Sequence, residues 1–338
     1  MRVRRAGAAV VGLALTLAGC GGSGGTPGAR SAPAGRFSIA VWGDTPYSPA
    51  EAAAVPTLVD QVNASDVAFT VFVGDLQGGD RCENALYTAA ADTFDSFVKP
   101  MVYTPGDNEW TDCHHTAGDP IERLGYIRRT MFATGHSFGR HVLTVQQQPQ
   151  YPENARWETH SVVFATIDAP GSNDNHVADA DAEEQGTPRG PADRRAAEAE
   201  YRARDQADRD WLHQAFATAT REGAAAVVVA MQADPGFDVA PGSRAARGVD
   251  GFDPLLATLA AEARAFPKPV VVLHGDSHRE RFDRPLVDPA TGQAVPNVAR
   301  VETFGSPTVG WVKVILDPAD PAFVSVEPHL VLPAAGGG

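Results

Sequence analysis

Six short apolar runs, each ending on a polar tip, constrain this chain more than any other feature. Three of them, 37–42, 67–73 and 100–104, are rich in β-branched and aromatic residues and run into Gly43-Asp44, Gly74-Asp75 and Pro105-Gly106-Asp107. Runs of that length and composition, closed by Gly and Asp, read as buried strands with an acidic residue where each one turns. The segments between them, 50–63 and 83–97, are Ala-rich with apolar residues at helical spacing. Strands joined through helices in this order pair in parallel with right-handed crossovers. Further on, 161–168, 224–232 and 269–276 repeat the pattern and are separated by helical stretches at 193–221 and 252–265. The charged 193–221 stretch predicts a solvated face, with Trp211, Leu212, Ala215 and Phe216 on its buried side. The tail carries strand-like runs at 298–304, 311–316 and 323–326, whereas 171–192 and 234–251 have loop composition and are candidate lids.

The N-terminus has a different character. Arg2, Arg4 and Arg5 precede an apolar run, 8–17, that is too short for a bilayer span and suited to a signal peptide. It closes on Leu17-Ala18-Gly19-Cys20, which resembles the bacterial lipobox, in which the Cys is lipidated and becomes the mature N-terminus. The organisation expected is a leader at 1–19, a flexible Gly/Ser/Pro tether at 20–35, one folded unit at 36–330 and a disordered tail at 331–338. The protein is then extracytoplasmic, held to the bacterial membrane by Cys20. With Cys20 lipidated, Cys82 and Cys113 remain as an even pair in an oxidising compartment and are expected to be bridged. They follow Asp75 and Asp107 at similar distances, so a bridge between them would clamp the rim of a shared pocket.

Charge narrows the function. Lys and Arg number 28 against 42 Asp and Glu, a net of −14 that grows more negative once the leader is removed. Such a surface repels phosphate backbones, so nucleic acid is not an expected partner. In an open α/β sheet, ligands gather at the carboxyl ends of the strands, which is where Asp44, Asp75, Asp107 and Asp276 fall. Any one of these is well explained as a turn or helix cap. Four together, joined by Asn108 and His278, raise one another's pKa and call for a compensating divalent cation.

The motifs in order, Gly43-Asp44-Thr45-Pro46, Gly74-Asp75, Gly106-Asp107-Asn108-Glu109, Met231-Gln232 and Gly275-Asp276-Ser277-His278, resemble those of the calcineurin-like metallophosphoesterases over most of residues 37–318. The resemblance implies an α/β sandwich of mixed β-sheets flanked by helices. It also implies a site holding two metals, with Asp75 bridging them and Asp44 and His278 on the first. Asp107, Asn108, Gln232 and Asp276 complete the ligand set so implied. The chain departs from the family pattern at Pro46, Asp107, Asn108, Gln232 and Asp276, so that oxygen donors largely replace nitrogen. Such a site favours Mg²⁺, Mn²⁺ or Ca²⁺ over Zn²⁺, with Fe also compatible.

The activity so implied is hydrolysis of a small phosphomonoester or phosphodiester by a metal-activated water. Asn108 stands where the family has its catalytic His, and an amide cannot protonate a leaving alkoxide. His274, His114 and His115 are the alternatives; His274 also reads as a core histidine, and the other two as exposed rim residues that contact substrate. Arg279 and Arg281 are placed to receive a phosphate, and Asp283 to pair with its neighbouring arginines. Glu109 reads equally as a carboxylate orienting a His or water and as a helix-start acid. Trp42, Trp110 and Tyr47 flank the tips, either as pocket walls or as core. The rival function is a catalytically silent binding lipoprotein on the same fold.

Overall fold

The β-branched runs form strands and the Ala-rich segments helices. The structure is a computed structural model and describes residues 35–116, 118–177, 189–288 and 291–331. In chain order these are β1 (Phe37–Trp42), α1 (Pro49–Ala64), β2 (Thr70–Phe72), α2 (Asn84–Asp95), β3 (Met101–Tyr103), α3 (Pro120–Thr130), β4 (Gln146–Gln148), β5 (Tyr151–Thr159), β6 (Val162–Thr166), the single turn α4 (Gly171–Asp174), α5 (Pro191–Glu222), β7 (Ala226–Ala230), α6 (Asp253–Ala265), β8 (Val270–His274), β9 (Arg281–Asp283), β10 (Val298–Glu302), β11 (Gly310–Leu316) and β12 (Val324–Leu330). The expected leader, Cys20 and nearly all of the tether lie outside the described residues. Of the expected tail, Val331 is buried and bonded to Val309, and 332–338 lie outside as well.

The strands make two mixed sheets, of order β12-β11-β1-β2-β3 and β4-β5-β6-β7-β8-β10-β9. β1, β2 and β3 run parallel, as do β6, β7, β8 and β10. Alternation along each strand sends Ile39, Val41, Phe69 and Val71 toward Phe164, Val228, Val271 and Leu273 of the other sheet, and this interface is one apolar core. The opposite faces are covered separately. Trp42 and Phe72 pack under α1, α2 and α3, while Val163, Val229 and Val272 pack under α5 and α6. The result is the expected α/β sandwich of mixed sheets flanked by helices.

Local sequence explains the helix ends. Ser48 caps α1 by accepting from the Glu51 amide, while Glu51 accepts from the Ser48 hydroxyl at 2.9 Å and the Tyr47 amide at 2.8 Å, with Pro49 at the first turn. Gly223, at φ 68°, ends the 32 residues of α5.

The region 110–160 contains α3 and the polar hairpin β4–β5 at the sheet edge. The tail strands divide between the sheets: β10 joins the second, and β11 and β12 the first. The charged face of α5 is partly internal: fully buried Arg204 holds Asp174 at 2.6 Å and Glu200 at 2.7 Å and donates to the Asp168 carbonyl.

Cys82 and Cys113 are bridged, with a Cα–Cα distance of 5.8 Å and a sequence separation of 31. Closing a loop of that size removes conformational freedom from the unfolded chain worth about 3–4 kcal/mol. The Cys82→Ser/Cys113→Ser protein should therefore lose about that much in unfolding free energy, measured by chemical denaturation without reductant.

Candidate active site

Parallel strands of both sheets deliver their carboxyl ends to one edge. Asp44 follows β1, Asp75 follows β2 and Asp107 follows β3. Gln232 and Asp276 arrive from β7 and β8 of the other sheet. The loops are tied across the sheets, where Asp276 N donates to Asp44 Oδ1 at 2.9 Å and Ser306 N to Asp44 O at 2.8 Å, and within the second sheet, where Gly275 N donates to Gln232 O at 3.0 Å. Asp44, Asp75, Asp276 and His278 all have left-handed backbone, with φ of 52°, 65°, 76° and 60°. That conformation costs a non-glycine residue about 1–2 kcal/mol, and its concentration here marks strain held in place by the surrounding bonds. Gly275 and Gly106 must be glycine, since a Cβ would occupy the space of Asp44 Oδ2 and Asp75 Oδ1 respectively.

Asp44 is fully buried, and Asp75 and Asp107 are only 3% and 7% exposed, so little water screens the cluster. Burial, then the neighbouring Asp276, pushes the Asp44 carboxyl well above its ordinary range. Burial followed by Asp107 and Glu109 does the same to Asp75, and burial followed by Asp107 to Asp276. Asp107 is pushed up to about 7 by burial and Asp112, although Ser172 donates to it at 2.8 Å. Asp75 keeps two donors on Oδ2, the Tyr47 hydroxyl at 2.6 Å and Asn108 Nδ2 at 2.9 Å.

The donor set fits a cation at Asp44. Its Oδ2 is buried with no hydrogen-bond partner among the described residues. His278 gives its Nδ1 to the Ser306 carbonyl at 2.8 Å, so Nε2 carries the lone pair, and it lies 3.7 Å from Asp44 Oδ1. That is too long for a hydrogen bond and suits two ligands at about 2.0–2.2 Å from a shared ion.

Several predicted residues are placed differently. Gln232 accepts from Gly171 N at 2.5 Å through Oε1, which leaves the buried Nε2, a donor and not a metal ligand, facing inward without a partner. Asn108 points its Nδ2 at Asp75, Tyr47 and the Gln77 carbonyl, so its amide positions Asp75 and its oxygen is directed to the Gly79 side. His274 is completely buried, bonded to its neighbour's carbonyl, and burial pulls its pKa down to about 4; it is a neutral core residue shut away from substrate. Arg281 is held by Asp234 and Asp238, each at 2.8 Å, and by Glu302, so it is not available to phosphate. Asp283 pairs with Arg300, at 2.8 Å and 2.5 Å, and not with its chain neighbours. Arg279 is exposed at the rim. His114 and His115 lie on the 3-10 turn Thr111–Thr116, also at the rim, connected to the cluster through Ser172, which bridges Asp107 and Asp112.

Trp42 and Trp110 belong to the core, and Tyr47 alone of the three aromatics reaches the carboxylates. Glu109 has neither expected role. Its carboxylate accepts the backbone amides of Asp75, Leu76 and Gly106 at 3.1, 2.9 and 3.1 Å, binding two acidic loops together. Sequence spacing gives no sign of this, because those amides come mostly from residues more than thirty positions upstream.

No family profile matches the chain, and no curated protein matches it significantly. A solved structure described as the structure of PhoD, a protein of the metallophosphoesterase fold, superposes over 88% of this chain and 69% of its own with a TM-score of 0.51. At 12% identity, the likeness is one of fold.

The raised carboxyls predict a pH dependence. Burial makes Asp107 and Glu109 hold their protons to about 7 when folded, against ordinary values of 3.8 and 4.5. Their contribution to stability is complete below about pH 4 and drains away as pH rises through 7. Denaturation midpoints in chelator should fall across that window, and a saturating divalent cation should remove the decline.

Proposed function

We propose that this chain is an exported, membrane-anchored phosphoesterase that uses divalent cations to hydrolyse a small phosphoester. The observation that carries the reading is the buried acidic cluster at the joint sheet edge, where Asp44 Oδ2 has no hydrogen-bond partner among the described residues and His278 Nε2 lies 3.7 Å from Oδ1 of the same carboxylate. A metallophosphoesterase-type fold supports it.

Asp44 and His278 would hold one cation, Asp107 and Asp276 a second, and Asp75 would lie between them, in a set whose oxygen character favours Mg²⁺, Mn²⁺ or Ca²⁺. Such ions, when bound, polarise a phosphoryl oxygen and lower the pKa of bound water. The chain's own residues do the rest. Tyr47 and Asn108 fix the Asp75 carboxylate, and Glu109 fixes the loop beneath it. Gln232 Nε2 is a donor for a phosphoryl oxygen, and exposed Arg279 meets the anion at the rim. Neither His274 nor Tyr47 takes the place of Asn108 as proton donor: His274 is fully buried, and Tyr47, its hydroxyl committed to Asp75, has its pKa driven far up by burial and the surrounding carboxylates. The leaving group must therefore depart with little help, which favours acidic alcohols such as phenols.

A panel of aryl phosphates and phosphodiesters with Mg²⁺, Mn²⁺, Ca²⁺ and Zn²⁺ tests this. Turnover should rise steeply as the leaving phenol becomes more acidic, and Asp75→Asn should cut kcat/KM by at least about 100-fold while the fold is kept. The second reading, a binding protein without turnover, is favoured by the amide at Asn108, and it requires cation or anion binding with no hydrolysis of any ester in the panel.

Export and anchoring rest on the 1–20 sequence, and the Cys82–Cys113 bridge suits an oxidising compartment. Among the described residues, no helix is long and apolar enough to cross a membrane. Cys20→Ser should move the protein from the membrane to the soluble fraction without changing the phosphoesterase assay.

A further inference from the structure

We propose that Asp112, His114 and His115 form a separate transition-metal site at the rim. One donor atom from each of the three lies within 4.8 Å of the others, the spacing of ligands that share an ion. Asp112 and His114 are set by contacts on their far sides. Asp112 Oδ1 lies 2.7 Å from Ser172 Oγ and 3.2 Å from Thr111 Oγ1, while Oδ2 is turned to His115 Nδ1 at 4.0 Å. His114 gives its Nδ1 edge to the Thr111 carbonyl at 2.7 Å, which fixes the orientation of the ring. The carbonyl behind His114 and the hydroxyls behind Asp112 are the outer arrangement that metal sites use to orient imidazoles and carboxylates. Arg189 approaches the Nδ1 edge of His114 at 3.4 Å, on the side away from Nε2.

The turn that carries the three residues is rigid. Asp112 N donates to the Asp107 carbonyl at 3.0 Å, and Cys113, between Asp112 and His114, is bridged to Cys82. The Asp112 and His115 side chains are 15% and 25% exposed, so an ion can enter. Two imidazoles and one carboxylate make a borderline-soft set that selects Zn²⁺, Co²⁺ or Ni²⁺ over Mg²⁺ and Ca²⁺, the opposite of the oxygen-rich cluster beside it. The inference is independent of phosphoester hydrolysis.

Co²⁺ titration of the purified protein in millimolar Mg²⁺, followed by visible absorption, tests it, with Zn²⁺ competition giving affinity. The Asp44→Asn/Asp75→Asn protein should keep one equivalent of Co²⁺ with an unchanged spectrum. His114→Gln, His115→Gln and Asp112→Asn should each weaken that equivalent by at least tenfold, and His115, the more exposed of the last two, provides the variant that should disturb folding least. Absence of Co²⁺ uptake under Mg²⁺, an unaltered affinity in His115→Gln, or loss of the signal in Asp44→Asn/Asp75→Asn would each overturn the proposal.

Discussion

The structure depends on keeping like charges together out of water. Asp44, Asp75, Asp107, Glu109 and Asp276 converge where the two sheets end, and two unit charges a few ångströms apart near a protein surface repel by about 4 kcal/mol. The chain counters this with oriented donors more than with cationic side chains. Glu109 takes three backbone amides, Asp44 takes the Asp276 amide, and Asp107 takes a hydroxyl. Those amides point correctly because the loops turn through left-handed backbone at Asp44, Asp75 and Asp276. The strain of the turns and the electrostatics of the site are thus one feature, and a sheet edge fed by parallel strands from two sheets is what makes it possible.

How much of this is legible in the sequence follows from the range of each interaction. Apolar runs with polar tips identify β1, β2, β3, β6, β7 and β8, since burial of a strand on both faces writes itself into consecutive residues. The hairpin β4–β5 stays hidden because Gln146–Gln148 and much of Tyr151–Thr159 are polar, as suits the edge of a sheet. The assignment of β10 to one sheet and β11 to the other depends on pairings that local composition does not encode. The same divide runs through the site. The acids that follow strands are visible as motifs, whereas the work of Glu109, Tyr47 and Ser172 is done on groups far away in sequence and has no local signature. Gln232 and Asn108 illustrate a further limit: residue type shows that an amide is present, and only the hydrogen-bond pattern shows which end of it faces the cluster.

The positive charges near the site bear on what it can bind. Arg281 is neutralised by Asp234, Asp238 and Glu302, Arg300 by Asp283, and Arg204 by Asp174, Glu200 and Asp208. These guanidiniums act as struts between loops, and their partners fix them in geometries that leave little for a ligand. A phosphoester approaching this edge would meet buried carboxyls in a chain of net charge −14. Attraction of such an anion has to come from cations that the carboxylates themselves retain, with Arg279 as an auxiliary at the rim. On the proposed function, the acidic cluster would disfavour phosphate binding when bare and favour it when loaded, and metal uptake would be the step on which recognition of substrate turns.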